Sequence, residues 1–172
     1  VTIRVLYHLV VTKQTNYLSA MPTEYEDKRE VQVEGEAALL YSDDLPYHNF
    51  GHARGAAETG MSIVDQCEKE GIPIDRLVVR YALLFHDAGY QEDHRAKGYA
   101  TKEEYSTVLA RTTLEKYGYP EEFILKVEHA IISTEHDAEP VTNEAKAVRA
   151  ADLANLARDY ETKVVWFVKT VF

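Results

Sequence analysis

RLVVRYALLFHDAG, residues 76–89, decides the fold. Its continuous Leu, Val, Ala and Phe content predicts a fully buried helix, with Asp75 as its N-cap. A buried helix needs other helices around it, and the flanking sequence supplies them. EGEAALLYSDDLP forms one short helix stopped by Pro46. His48 to Glu70 carries apolar or small residues at Ala53, Ala56, Ala57, Met61, Ile63 and Val64 and ends at Gly71, a C′ glycine. Thr101-Lys102-Glu103-Glu104 has capping-box form and opens a helix that ends at Gly118. Pro120 suits the first position of the next helix, which runs to about Thr134. After the polar loop EHDAEPVTN, a last amphipathic stretch covers about Asn143 to Tyr160. The expectation is an all-α, single-domain bundle of five to six helices over residues 34–172.

Residues 1–33 read as an appendage to that bundle. VTIRVLYHLVVTK resembles a signal peptide only weakly, because Arg4 and His8 interrupt its apolar stretch and Lys13 closes it early. A native start at Met21-Pro22 and an extended N-terminal arm or edge strand are both open readings of this segment.

Composition narrows the function. Of 172 residues, 45% are hydrophobic and 28% charged, an ordinary globular balance. Nineteen Lys and Arg stand against 29 Asp and Glu, a net charge of −10. That field repels phosphate backbones and anionic membranes, so neither nucleic acid in general nor a membrane is an expected partner. A small phosphorylated ligand needs only a local cation or two. One cysteine, Cys67, forms no intrachain disulfide, which suits the cytoplasm. No apolar run approaches the roughly 20 residues of a membrane span. The apolar C-terminal VVWFVKTVF is either last-helix core or a homodimer face.

The histidines carry the chemistry. His48 and His52 lie in YHNFGHA, and on a helix residues four apart share a face. His86-Asp87 ends the most buried helix, where an unpaired carboxylate costs several kcal/mol and needs a cationic or metal partner. Asp152 sits between Ala151 and Leu153 in another apolar helical stretch, with Asn155 as its ordinary hydrogen-bonding alternative. Together His52, His86, Asp87 and Asp152 form a mixed imidazole and carboxylate set. Such a set suits one divalent ion of intermediate hardness (Mn, Fe, Co, Ni or Zn), with Mg less favoured.

H…HD…D in this order on successive helices resembles the HD-domain superfamily of metal-dependent phosphohydrolases. YHNFGHA is also similar to the YHNxxHA segment of cyclic-nucleotide phosphodiesterases and of small bacterial HD proteins. The likeness covers about residues 36 to 160 and includes KEEYS, IIST and ADLANL. It implies an HD-type bundle, metal ligands at His52, His86, Asp87 and Asp152, and His48 as proton donor to the leaving oxygen. It further implies an acid that orients the attacking water, Asp87 itself or Glu103, since capping already explains Glu104. HDAGY replaces the HDIGK and HD-GYP forms, and IISTEHD stands where two-metal relatives place paired histidines. That favours a single ion, with His129 or His136 as the candidates for a second. His129 otherwise reads as a core histidine.

His94, Arg95 and Lys97 follow the HD pair in GYQEDHRAKGYAT and bring positive charge to an anionic substrate. Thr134 and His136 flank the expected pocket, and Tyr90 and Tyr99 are candidates to stack on a base. The activity expected is hydrolysis of a phosphate ester of a small molecule, a nucleotide foremost. The rival readings are a di-iron, oxygen-activating HD enzyme and a non-catalytic nucleotide-sensing module with a residual metal site.

Overall fold

The computed structural model describes residues 24–154, with side chains from Lys28 onward. Six α-helices and no strand occur among them: α1 Glu24–Leu39, α2 Phe50–Lys69, α3 Arg76–Phe85, α4 Lys102–Lys116, α5 Glu121–Ile132 and α6 Asn143–Ala154. A 3₁₀ turn, Ala88–Tyr90, follows α3. The chain divides into two units, Val1–Gln32 and Val33–Phe172. The expected N-terminal arm falls mostly outside the described residues, but Glu24 to Val33 are helical rather than extended. The C-terminal VVWFVKTVF also lies outside them.

In the second unit α3 is the central element, packed on α2, α4, α5 and α6. Asp75 caps it as expected, its carboxylate accepting from the N–H groups of Leu77 and Val78. Val78, Val79, Tyr81, Ala82, Leu83, Leu84 and Phe85 are all buried. The helix ends inside the protein, where its last carbonyls need donors. Tyr41 Oη donates to Leu84 O at 2.9 Å, and Ser106 Oγ donates to His86 O at 3.0 Å.

Close approach of α2 and α3 depends on Gly60. A Cβ built there would lie 2.4 Å from Leu83 Cδ1, 3.1 Å from Val79 Cγ1 and 3.7 Å from Ala151 Cβ. Gly60 lies two turns beyond His52, Leu83 three residues before His86, and Ala151 next to Asp152. One tight contact therefore brings together the three helices that carry those residues.

Helix ends follow local chemistry. Gly71 and Gly118 adopt φ of +73° and +72° as C′ residues of α2 and α4. Each closes a Schellman pattern, in which Ile72 N donates to Cys67 O and Tyr119 N to Leu114 O. Thr101 caps α4 through Glu104 N at 3.1 Å. Glu104 reaches back one residue further than a capping box requires, to Ala100 N at 2.7 Å. Pro120 is the N-cap of α5 rather than its first helical residue. α2 starts at Phe50 with Asn49 as N-cap, so His48 precedes the helix, contrary to the sequence expectation. Asn49 Oδ1 accepts from His52 N at 3.1 Å, and that cap settles the boundary.

Candidate metal centre

His52 opens the first turn of α2, His86 is the C-cap of α3, Asp87 follows it and Asp152 lies on α6. Their functional atoms converge. His52 Nε2 is 3.5 Å from Asp87 Oδ2 and 3.4 Å from Asp152 Oδ1. His86 Nε2 is 3.3 Å from Asp87 Oδ2 and 3.2 Å from Asp152 Oδ1. Donors bound to one ion at about 2.0–2.2 Å, with bond angles near 90–110°, lie roughly 2.8–3.6 Å apart. The spacings among His52, His86 and Asp87 fit a shared ion, and Asp152 stands against the two histidines. The ligand atoms of His52, His86 and Asp87 also lie within 4.8 Å of one another, as a shared ion requires.

Two features set these contacts apart from ordinary ion pairs. His52 Nε2 and His86 Nε2 are buried and make no hydrogen bond, although carboxylate oxygens stand nearby. Buried polar atoms rarely lack a partner, and an imidazole lone pair directed at an ion is a recognised exception. His86 Nδ1 meanwhile donates to Leu83 O at 2.7 Å, which leaves Nε2 as the nitrogen facing the cluster. The donor set therefore fits a divalent ion.

Without an ion the cluster is electrostatically tense. Burial pushes the His86 imidazole toward neutrality, but Asp152 and Asp87 outweigh it and raise its pKa to about 9. Burial favours the neutral acid at Asp87, yet His86 and Lys102 hold its carboxyl well below the usual range. Asp152 is likewise desolvated but held low by His52 and His86. Burial, and next the charge of Asp87, raise the Tyr41 hydroxyl well above its ordinary value. In the free protein a proton on His86 offsets the charge that a bound cation would offset.

Around the cluster, His48 Nδ1 donates to Asp87 Oδ2 at 2.8 Å. Its ring stacks on Tyr90, with centroids 4.0 Å apart, so the aromatic face of Tyr90 serves this histidine. Gln91 holds the loop that carries His48: Nε2 donates to His48 O at 2.7 Å, and Oε1 accepts from Ser42 N at 2.8 Å. Tyr47 packs on His52, with centroids 4.5 Å apart. Gly89 N donates to Ser106 Oγ at 2.9 Å, and a Cβ on Gly89 would lie 2.1 Å from Lys102 O. Only glycine lets the HD turn seat this close to α4.

Lys102 was not singled out from the sequence. Its Nζ is 2.6 Å from Asp87 Oδ1 and 3.1 Å from Glu103 Oε1. Glu103 is thus buried beside the centre and meets Asp87 through Lys102, while Glu104 is exposed. Tyr47 and Gln91 also escaped notice, since an exposed tyrosine and a loop glutamine have no distinguishing pattern.

The remaining candidates make no described contact with the four-residue cluster. Lys97 Nζ pairs with Glu92 at 2.8 Å and lies 5.4 Å from the Tyr105 ring centroid. Arg95 is exposed and His94 half-buried in the same loop. Tyr99 stacks on Tyr105 rather than standing open. Thr134 Oγ1 donates to Ile131 O at 2.8 Å, and the His136 side chain is exposed, with Asp137 3.9 Å away. His129 is exposed, not core, and lines a surface cleft of about 380 Å³ with Asp75, Glu122, Lys126 and Thr142. No member of the four-residue cluster lines that cleft.

An all-α bundle that brings two histidines and two aspartates together from three helices presents a candidate metal site. Residues 49–154 match the model of the HD domain, and the chain belongs to the HD-domain family. No curated protein and no solved structure matches the chain. Among the described residues no helix is long and apolar enough to cross a membrane.

Proposed function

We propose that the protein is a metal-dependent phosphohydrolase that cleaves a small phosphate ester, with nucleotides the first substrates to try. The observation that supports this most is the pair of buried, unbonded Nε2 atoms of His52 and His86 facing Asp87 and Asp152. These four residues are the ligands of the reading. When bound, a divalent ion lowers the pKa of water and polarises a phosphoryl group.

The protein's own groups do the rest. His48 donates Nδ1–H to Asp87, a contact that orients its ring and leaves Nε2 to deliver a proton to the leaving oxygen. Tyr90 and Gln91 hold that ring and its backbone in place. Glu103, buried beside the cluster, orients the attacking water. Arg95 and His94, in the loop after the HD turn, supply positive charge for the substrate's phosphate. Lys97 contributes less, because Glu92 offsets it. Thr134 and His136 remain outer contacts for the substrate in this reading. A reduced Cys67 agrees with a cytoplasmic setting.

A panel of nucleotides and phosphate monoesters assayed with Mn, Co, Ni and Mg tests the reading. Turnover of at least one ester is expected, lost in His48→Ala with metal binding retained. Asp87→Ala should lose both. Metal-dependent turnover that survives His48→Ala unchanged would remove His48 from the mechanism.

A further inference from the structure

Lys102 occupies an unfavourable place. It is the first residue of α4, where the helix dipole disfavours a cation and the following Glu103 and Glu104 fit the usual preference. Its side chain is only 13% exposed, so its charge has left most of its water. Burial of an ammonium is costly unless its protons are matched. Here its protons meet Asp87 Oδ1 at 2.6 Å and His86 O at 3.5 Å, and Glu103 Oε1 lies 3.1 Å away as a second ion-pair partner. The Tyr90 ring centroid lies 4.6 Å from Nζ and adds a cation–π contact.

The two oxygens of Asp87 are thus divided. Oδ2 faces His52 and His86, where an ion would sit, and Oδ1 is held by Lys102. A carboxylate with both oxygens free can bridge two cations. We infer that the Lys102 ammonium stands in the position of a second cation, as a fixed internal charge that makes this a one-ion centre. Formal charge agrees. Asp87, Asp152 and Glu103 sum to −3, and Lys102 with one divalent ion supplies +3. A second divalent ion would leave a mostly buried cluster at +2.

The inference rests on the metal reading above, and one experiment separates the two. Mn²⁺ uptake by the full chain is counted by equilibrium dialysis up to millimolar Mn²⁺, with electron paramagnetic resonance to detect exchange-coupled pairs. The wild type should take up one uncoupled ion at this centre, and Lys102→Arg should do the same. Lys102→Ala, which exposes Asp87 Oδ1 and Glu103, should take up two as a coupled pair. Lys102→Gln, which keeps a hydrogen-bond donor without the charge, should also take up two and decides the matter if the alanine variant fails to fold. A coupled pair in the wild type, or a single ion in the folded Ala or Gln variant, would overturn the inference while leaving the metal reading intact. No uptake by the wild type would overturn the metal reading itself.

Discussion

In the free protein, the proton on His86 does the electrostatic work of a cation, so metal binding must displace it. His86 is fully buried, and its pKa stands at about 9 against an ordinary 6.5. At about 1.4 kcal/mol per tenfold change, that rise amounts to roughly 3 kcal/mol of stability in the metal-free protein. A folded pKa above the unfolded one means this contribution is complete below pH 6.5 and is lost as pH rises through about 9. Asp87 and Asp152 are depressed, so their contribution holds above the ordinary carboxylate value and fails as pH falls through their folded values. Urea denaturation of the metal-free protein should therefore show greatest stability between about pH 4 and 6.5 and a decline toward pH 9. Metal affinity should move the other way, rising about tenfold per pH unit from 7 to 9 and then levelling. Calorimetric titration with Mn²⁺ at pH 7, in two buffers of different ionisation enthalpy, should detect about one proton released per ion. Affinity independent of pH, with no proton release, would refute the reasoning.

Three substitutions test the packing that assembles the centre. Gly60→Ala places a methyl 2.4 Å from Leu83 Cδ1 and should cost about 1–3 kcal/mol in urea denaturation, with weaker metal binding as α2 moves off α3. Gly89→Ala meets the Lys102 carbonyl at 2.1 Å, backbone that cannot swing aside, so Mn²⁺ affinity in dialysis should fall at least tenfold. Arg149 donates to the carbonyls of Ser133, His136 and Ala138, and Arg149→Ala should destabilise the 133–138 loop. The loss should be about 1–3 kcal/mol by denaturation, with metal stoichiometry unchanged.

The central helix and the cluster of His52, His86 and Asp87 were legible because both break simple rules. The apolar run from Val78 to Phe85, interrupted only by Arg80 and Tyr81, has the core to occupy, and His86-Asp87 places costly groups at its end. What escaped depends on partners distant in sequence. Lys102 reads as a solvated helix-start residue until the HD turn folds onto it. Gly60 reads as a weak point in α2, whereas its missing side chain admits Leu83. His48 was placed on the helix because four-residue spacing to His52 is ambiguous beside a cap, and Asn49 takes the cap. His129 was misread although helical geometry was available: Ile124, Val127, Ala130 and Ile131 define the buried face, and two positions past Val127 lies nearly opposite it.

The most direct test of the centre is anomalous diffraction from crystals grown with Mn²⁺. The account predicts one strong peak about 2.0–2.3 Å from His52 Nε2, His86 Nε2, Asp87 Oδ2 and Asp152 Oδ1 together. The absence of a peak there at saturating Mn²⁺, or a peak that leaves any of the four beyond bonding distance, would contradict it.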